Sequence, residues 1–267
     1  MKNSAIDGSV LIRVIQENES SQWRVGAALH QGKREEQQDS IGFAPDIRYR
    51  NTSEKLMLVL CDGMGGLNNG SQFSTAAVNE AVRLFEEDPS FPDHLADKLN
   101  KLLCSCSPES NAPAGGTTLA LLLITCNEIF WCAAGDSGIY LKRGERLYRL
   151  NESGNYESRL LDKVINGDLT REDAMNDPKK ERLVSYIGGR KVEAVDQSVR
   201  AFHPEPGDIY LLCSDGIDRV LSEAEIFKAL TVRAQKSSEA LIKLAKNKNL
   251  PDQDNMSVIT AALLYKE

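Results

Sequence analysis

Aspartates lie at the ends of several apolar runs in this chain. Asp62 follows the run LMLVLC, Asp136 follows IFWCAAG and Asp215 follows IYLLCS, and a glycine adjoins each of the three. Unbroken apolar runs predict strands that are buried on both faces. The chain therefore places carboxylates where buried strands end, a pattern that indicates a metal site. Five aspartates border apolar runs in this way: Asp39, Asp62, Asp136, Asp215 and Asp254.

The composition bounds the class of protein. The chain has 267 residues, 41% of them hydrophobic, which is enough for one good-sized core, and no linker divides it. The net charge of -7 argues against binding of nucleic acid or an anionic membrane through a broad basic surface. The chain has neither an apolar run that could span a bilayer nor the apolar stretch of a signal peptide. We therefore expect a soluble, cytoplasmic monomer with no nucleic-acid or membrane partner.

The predicted strands and helices do not alternate one for one. This favours an α+β fold with antiparallel sheets over a doubly wound parallel sheet. The polar segment at about 151–190 is interpreted as a mobile surface flap, in which Thr170 begins a short helix through a capping box. Strands are predicted at 22–30, 56–61, 117–125, 128–134, 208–214 and 256–264, and helices at 71–87, 93–103, after Ser222 and at 237–248.

The chemistry of the aspartates favours Mg2+ or Mn2+. Carboxylates are hard oxygen ligands, and the three histidines are too scattered to predict a zinc or non-haem iron site. Carboxylates that converge on one point repel each other unless cations hold them. Two metal ions would explain such a cluster, and they would activate a bridging hydroxide as the nucleophile. A single Asp-Gly pair, by contrast, would predict only an ordinary turn.

Other motifs favour no competing chemistry. The six cysteines lie mostly within apolar runs and lack the CxxC spacing of a zinc site, so we interpret them as reduced thiols. The stretch Gly115–Thr118 lacks the lysine of a phosphate-binding P-loop. Arg34 has a planar guanidinium that could hold a phosphate with two hydrogen bonds, although in the charged run 33–36 it could equally be a solvated residue.

Taken in order, these motifs resemble the metal-dependent PPM family of protein Ser/Thr phosphatases, also called type 2C, in its bacterial form. The resemblance covers nearly the whole chain. The matching motifs are GKREEQQDS at 32–40, DGMGG at 62–66, GTT at 116–118, GDS at 135–137, SDG at 214–216 and Asp254-Asn255.

The resemblance implies a central β-sandwich of two antiparallel sheets, flanked by helices on both sides. It implies a single phosphatase domain at 22–267 after an N-terminal extension at 1–21. It also implies two Mg2+ or Mn2+ ions and a third, more weakly bound ion. Asp62 would bridge the two core ions, with the Gly63 carbonyl, Asp215 and Asp254 completing their ligation and Asp39 close by. Asp136 would hold the third ion with Asp215, and Arg34 would bind the substrate phosphate.

The implied reaction is hydrolysis of phosphoserine or phosphothreonine on proteins, opposing a cognate bacterial Ser/Thr kinase. Two alternatives stay open: a catalytically silent domain that binds phosphoproteins, and a specialised signalling phosphatase. The chain departs from the family's usual residues at five positions, which bear on substrate preference and local packing rather than on the core metal ligands. These positions are Gln37, Gln38, Met64, Leu67 and Gly138.

Overall fold

The strands form two antiparallel sheets. The computed structural model describes residues 14–17, 21–44, 55–64, 70–88, 115–125, 128–180, 182–188 and 195–265, and within them each sheet has six strands. The first sheet has the order β1 (Val14–Glu17), β2 (Ser21–His30), β12 (Met256–Tyr265), β11 (Ile209–Cys213), β8 (Gly138–Arg143) and β9 (Arg146–Arg149). The second has the order β10 (Asp196–Gln197), β7 (Ile129–Ala134), β6 (Leu119–Ile124), β4 (Leu56–Met64) and β3 (Asp39–Ala44), and β5 (Gly116–Thr117) pairs with the end of β4.

Strand β4 explains why the sheets stack face to face. Successive side chains of a strand point to opposite faces, and every side chain from Leu56 to Cys61 is buried. Leu58 and Leu60 pack in the core between the two sheets. Met57 and Val59 pack in a second core on the outer face of the same sheet. An apolar run without alternation is thus a strand covered on both sides, as the sequence predicts.

Helices cover both outer faces. Helix α1 (Gly70–Glu87) lies on the second sheet through Ala77, Ala81 and Leu84. The flap contains α2 (Tyr156–Ile165) and α3 (Arg171–Asn176). Helices α4 (Asp215–Asp218), α5 (Glu223–Ala229) and α6 (Ala234–Asn247) cover the first sheet. The layers are helix, sheet, sheet and helix, which confirms the predicted four-layer α+β sandwich.

The flap is joined to the sandwich at both of its ends. Near its start, the Gly154 N–H donates to the Gly135 carbonyl at 2.8 Å. Near its end, Ile187 and Thr117 exchange two backbone hydrogen bonds of 2.8 Å. Thr170 caps α3 as predicted, since its hydroxyl accepts from the Asp173 N–H at 3.1 Å. The flap is therefore anchored next to the predicted metal site.

Several predicted boundaries needed correction. The predicted strand 117–125 is divided into β5 and β6, and strands β1, β3, β8, β9 and β10 were not predicted. β3 and β8 each include a glycine and lack a long apolar run, so their pairing with β4 and β11 determines them more than local propensity does. The predicted helix at 93–103 lies outside the described residues, as do Gly65, Gly66 and Leu67.

The N-terminal boundary at residue 22 stays a prediction. Strand β1 lies within the predicted extension and pairs with β2, with Val14 opposite Val25. In the described part of the chain, the helices are too short or too polar to cross a membrane.

Candidate metal centre

Asp39 and Asp62 face each other across two neighbouring strands. They are direct partners in the pairing of β3 with β4. The Asp62 N–H donates to the Thr118 hydroxyl at 2.9 Å, and the Asp62 carbonyl accepts from the Thr118 N–H at 2.8 Å and the Thr117 hydroxyl at 2.9 Å. The Gly116-Thr117-Thr118 motif therefore holds the backbone of Asp62 in place. Like charges directly opposite on paired strands destabilise a sheet, so Asp39 and Asp62 are unfavourable partners unless their negative charge is neutralised.

Gly63 lies where the chain passes close to two other segments. Its N–H donates to the Gln38 carbonyl at 3.1 Å. A Cβ at this position would come within 2.2 Å of the Gly70 carbonyl oxygen and 2.6 Å of the Gln38 carbonyl oxygen. Only glycine fits this approach, which explains the Asp62-Gly63 pair physically.

Asp136 lies in the turn between β7 and β8, and its carboxyl group is buried. Gly135 before it has φ +102°, which favours glycine. Arg149 donates through Nη2 to the Asp136 carbonyl at 3.1 Å. Arg219 donates through Nη2 to Asp136 Oδ2 at 2.5 Å. Backbone and carboxylate are thus held by two different arginines.

Asp215 begins helix α4 directly after β11. Its neighbour Ser214 accepts from the Ser257 N–H at 2.9 Å and donates its own N–H to the Ser257 carbonyl at 3.0 Å. These bonds join the start of α4 to β12. Arg219 lies one turn along, with Nε 3.5 Å from Asp215 Oδ2.

Asp254 and Asn255 join the end of the chain to the loop at 31–38. The Asn255 side chain accepts from the Gln38 N–H at 2.8 Å and donates to the carbonyls of Gln31 and Glu36 at 2.7 and 3.0 Å. Asp254 forms an ion pair with Arg34, with 2.7 Å between Oδ2 and Nη2. Arg34 is half exposed, and its ion pair places it against one of the five aspartates.

The electrostatics show that the five carboxylates converge. The pKa of Asp62 is raised well above its usual value by burial and by the charges of Asp39, Asp215, Asp136 and Asp254. Burial raises the pKa of Asp39 to about 6, against the lowering effect of the nearby Ser257 and Ser214 side chains and with a smaller raising effect from the charge of Asp254. Burial and repulsion from Asp136 raise the pKa of Asp215 to about 7, against the lowering effect of Arg219.

The donor set fits hard divalent cations. Both Asp39 carboxylate oxygens are buried and have no hydrogen-bond partner among the described residues, so they are available to a cation. The converging side chains are carboxylates, as Mg2+ and Mn2+ prefer. Among the described residues, no three His, Cys, Asp or Glu side chains are already arranged around one metal position. Two of the aspartates, Asp136 and Asp254, instead form ion pairs with arginines.

Sequence reasoning identified the aspartates but not the residues that hold them. The supporting roles of Thr118 and Asn255 depend on bonds that cross between strands, although both belong to the recognised motifs. Arg219 was missed entirely. Its signal was present in the sequence, since it lies four positions after Asp215 and so on the same face of a helix.

Bacterial serine/threonine phosphatases are similar to this chain in sequence and in fold. The serine/threonine phosphatase stp of Listeria innocua is 27% identical over 221 residues, which cover 79% of this chain and 86% of that protein. The structure of the S. agalactiae serine/threonine phosphatase superposes with a TM-score of 0.75 at 24% identity over 90% of this chain and 99% of that one. The catalytic domain of the phosphatase PstP, crystallised with two manganese ions, gives a TM-score of 0.69 at 26% identity over 92% and 99%.

A family model extends over most of the sequence. The model described as protein phosphatase 2C matches residues 27–253. This range contains four of the five converging aspartates and Arg34, and Asp254 follows directly after it. The chain belongs to the protein phosphatase 2C family.

Proposed function

We propose that this protein hydrolyses phosphoserine and phosphothreonine on other proteins, with two Mg2+ or Mn2+ ions held by the aspartate cluster. The observation that carries the proposal is the position of four other carboxylates around Asp62, whose pKa is raised well above the usual value by burial and by their charges. Such repulsion is costly unless cations offset it. Membership of a family of protein phosphatases supports the same reaction.

The aspartates would share the work of holding the ions. The groups that would hold the two ions are the carboxylates of Asp39, Asp62, Asp215 and Asp254 and the Gly63 carbonyl. When bound, a pair of divalent ions activates water near neutral pH and polarises a phosphoryl oxygen. Thr118 and Asn255 would keep the strand ends and the loop at 31–38 in register with the ligands.

Arg34 would orient the substrate phosphate. Its side chain is 54% exposed, and its guanidinium lies against Asp254. The fork of N–H donors matches two oxygens of a phosphate, which is a stronger interaction than a single neutral hydrogen bond. Because Arg34 touches a proposed ligand, the phosphate it binds would lie next to the ions.

The proposal includes an opposing Ser/Thr kinase, a cytoplasmic location and a monomeric state. These three parts rest on the sequence. Each part is tested by a separate measurement, and size-exclusion chromatography tests the monomeric state.

The direct test is phosphate release from a phosphothreonine peptide by the purified full-length chain. Activity should be lost in EDTA and restored by Mn2+ or Mg2+. Asp62→Asn should lose activity by about 100-fold or more, because loss of even an outer partner of a metal ligand costs about 10–100-fold. Asp252→Asn, an exposed aspartate just outside the cluster, serves as the matched control and should retain activity.

Two outcomes would contradict the proposal. Folded protein that releases no phosphate with any metal would favour a silent phosphoprotein-binding domain. Full activity of Asp62→Asn with normal metal dependence would remove Asp62 from the site.

A further inference from the structure

A guanidinium lies between two of the converging aspartates. Arg219 Nη2 is 2.5 Å from Asp136 Oδ2, and Arg219 Nε is 3.5 Å from Asp215 Oδ2. The Asp136 side chain is only 6% exposed and that of Asp215 is 20% exposed. These two carboxylates are the pair expected from the sequence to hold a third, weaker metal ion.

The local structure explains how Arg219 reaches this position. Asp215 is the first residue of α4, and Arg219 follows as the residue that ends it. The Arg219 N–H donates to the Asp215 carbonyl at 2.9 Å, so the two side chains leave the same face of the helical turn. Arg219 is therefore directed to the cluster by the helix that supplies one of its ligands.

Asp136 keeps its place independently of Arg219. Arg149 binds the Asp136 carbonyl at 3.1 Å and forms an ion pair with Asp218 at 2.6 Å. The turn that carries Asp136 is thus joined to α4 through Arg149. The contact of Arg219 with the Asp136 carboxylate is an additional interaction that the fold of the turn does not require.

A guanidinium in this position competes with a metal ion. Arginine stays protonated at all working pH values, so Arg219 supplies a permanent positive charge to the two carboxylates. A divalent ion there would have to displace the guanidinium from Asp136 and would be repelled by it at short range. The charge that a third ion would offset is already offset by the chain itself.

We propose that Arg219 is a built-in counter-cation that takes the place of the third metal ion, so that the protein holds two divalent ions and not three. The inference rests on the two-metal function proposed above and specifies its metal content. It also means that Arg219 limits the number of metal ions that the protein binds, whereas an arginine in an ordinary surface ion pair would not.

The test is the number of Mn2+ ions bound per chain, measured by equilibrium dialysis and elemental analysis. Wild-type protein should bind two ions at saturation. Arg219→Gln, which removes the charge but keeps a polar side chain, should bind three ions at the same Mn2+ concentration. Arg219→Lys, which keeps a positive charge, should stay at two.

A matched control is available on another element. Arg83 bridges Glu80 and Glu87 on the exposed face of α1, with 2.5 Å to each. Arg83→Gln removes an arginine that binds two carboxylates away from the site, and it should leave the count at two. This control separates the effect of the position from the general effect of a lost arginine.

The outcomes distinguish this inference from the function beneath it. Three ions in wild-type protein, or two in folded Arg219→Gln, would overturn the role of Arg219 and leave the phosphatase proposal intact. Fewer than two ions in wild-type protein would contradict the two-metal function and this inference together. Even if Arg219→Gln fails to fold, three ions in wild-type protein would still overturn the inference.

Discussion

At the scale of single residues, the site combines unpaired carboxylates with paired ones. Asp39 has no hydrogen-bond partner for either oxygen among the described residues. Asp136 and Asp254 instead have arginine partners, which offset part of the charge of the cluster. Asp39 is therefore more available to a cation than Asp136 and Asp254, because arginines already bind those two carboxylates.

Arg34 provides a prediction at this scale. We expect Arg34→Ala to raise KM for a phosphothreonine peptide by about 10-fold or more, since a hydrogen bond to a charged group contributes about 1.5–3 kcal/mol. Arg34→Lys should have an intermediate effect, because it keeps the charge and loses the planar fork. Steady-state kinetics on both variants checks this.

Lys33 is the natural control for Arg34. It is the neighbouring cation, and its Nζ donates to the Leu250 carbonyl at 2.8 Å rather than to a carboxylate of the cluster. Lys33→Ala should leave KM near the wild-type value. Equal effects of the two changes would show that general positive charge, and not Arg34 itself, attracts the substrate.

At the scale of elements, close backbone contact joins α6 to the first sheet. A Cβ on Gly26 of β2 would lie 2.3 Å from the Gln235 backbone nitrogen and 2.4 Å from its Cα. The Gln235 side chain also bonds to the Ala27 N–H and carbonyl at 3.2 Å each. The helix therefore lies directly on the strand at Gly26.

Gly26→Ala should therefore destabilise the protein. We expect a loss of about 1–3 kcal/mol in the free energy of unfolding, because the helix must move away from the strand. Hydrogen exchange should become faster in α6. Gly207→Ala is the comparison, since Gly207 has φ +95° but open space where a Cβ would lie. This variant should also lose stability, but hydrogen exchange in α6 should not become faster. Unchanged exchange in α6 of Gly26→Ala would contradict the predicted displacement.

At the scale of the whole molecule, the cluster connects stability to pH and metal. The pKa values of Asp39 and Asp215 are raised to about 6 and about 7, so the folded protein holds protons that the unfolded chain releases near pH 4. The contribution of these groups to stability is thus fully present below about pH 4 and is lost as pH rises through about 7. Glu225 has the opposite effect on stability. Lys248 lowers its pKa to about 2, so its contribution is lost only as the pH falls toward 2.

Metal-free protein should therefore lose stability as the pH rises from about 4 to about 7. We expect a loss on the order of a few kcal/mol from the cluster. The increase in Tm on adding Mn2+ should grow over the same range, because ions replace the lost protons. Thermal unfolding in EDTA and in Mn2+ at several pH values measures both, and Asp62→Asn should show a smaller dependence on pH. The same dependence in Asp62→Asn as in wild type would contradict the assignment of the effect to the cluster.

Several features of the fold could be predicted from the sequence. The run at 56–61 predicts a strand covered on both faces, and Ser222 predicts the start of a helix, which the structure confirms with a capping box between Ser222 and Glu225. These are signals between near neighbours in the chain. β3 and β8 were missed because they depend on partner strands rather than on their own residues.

The residue patterns of the sequence by themselves determined the α+β class with antiparallel sheets and the set of aspartates, because hydrophobic period and residue type are local properties. Only the tertiary structure decided which charges meet. Arg219 and Asp136 are 83 positions apart, and Arg34 and Asp254 are 220 apart. Whether such residues touch depends on how two sheets and their connections pack, and no local pattern carries that information.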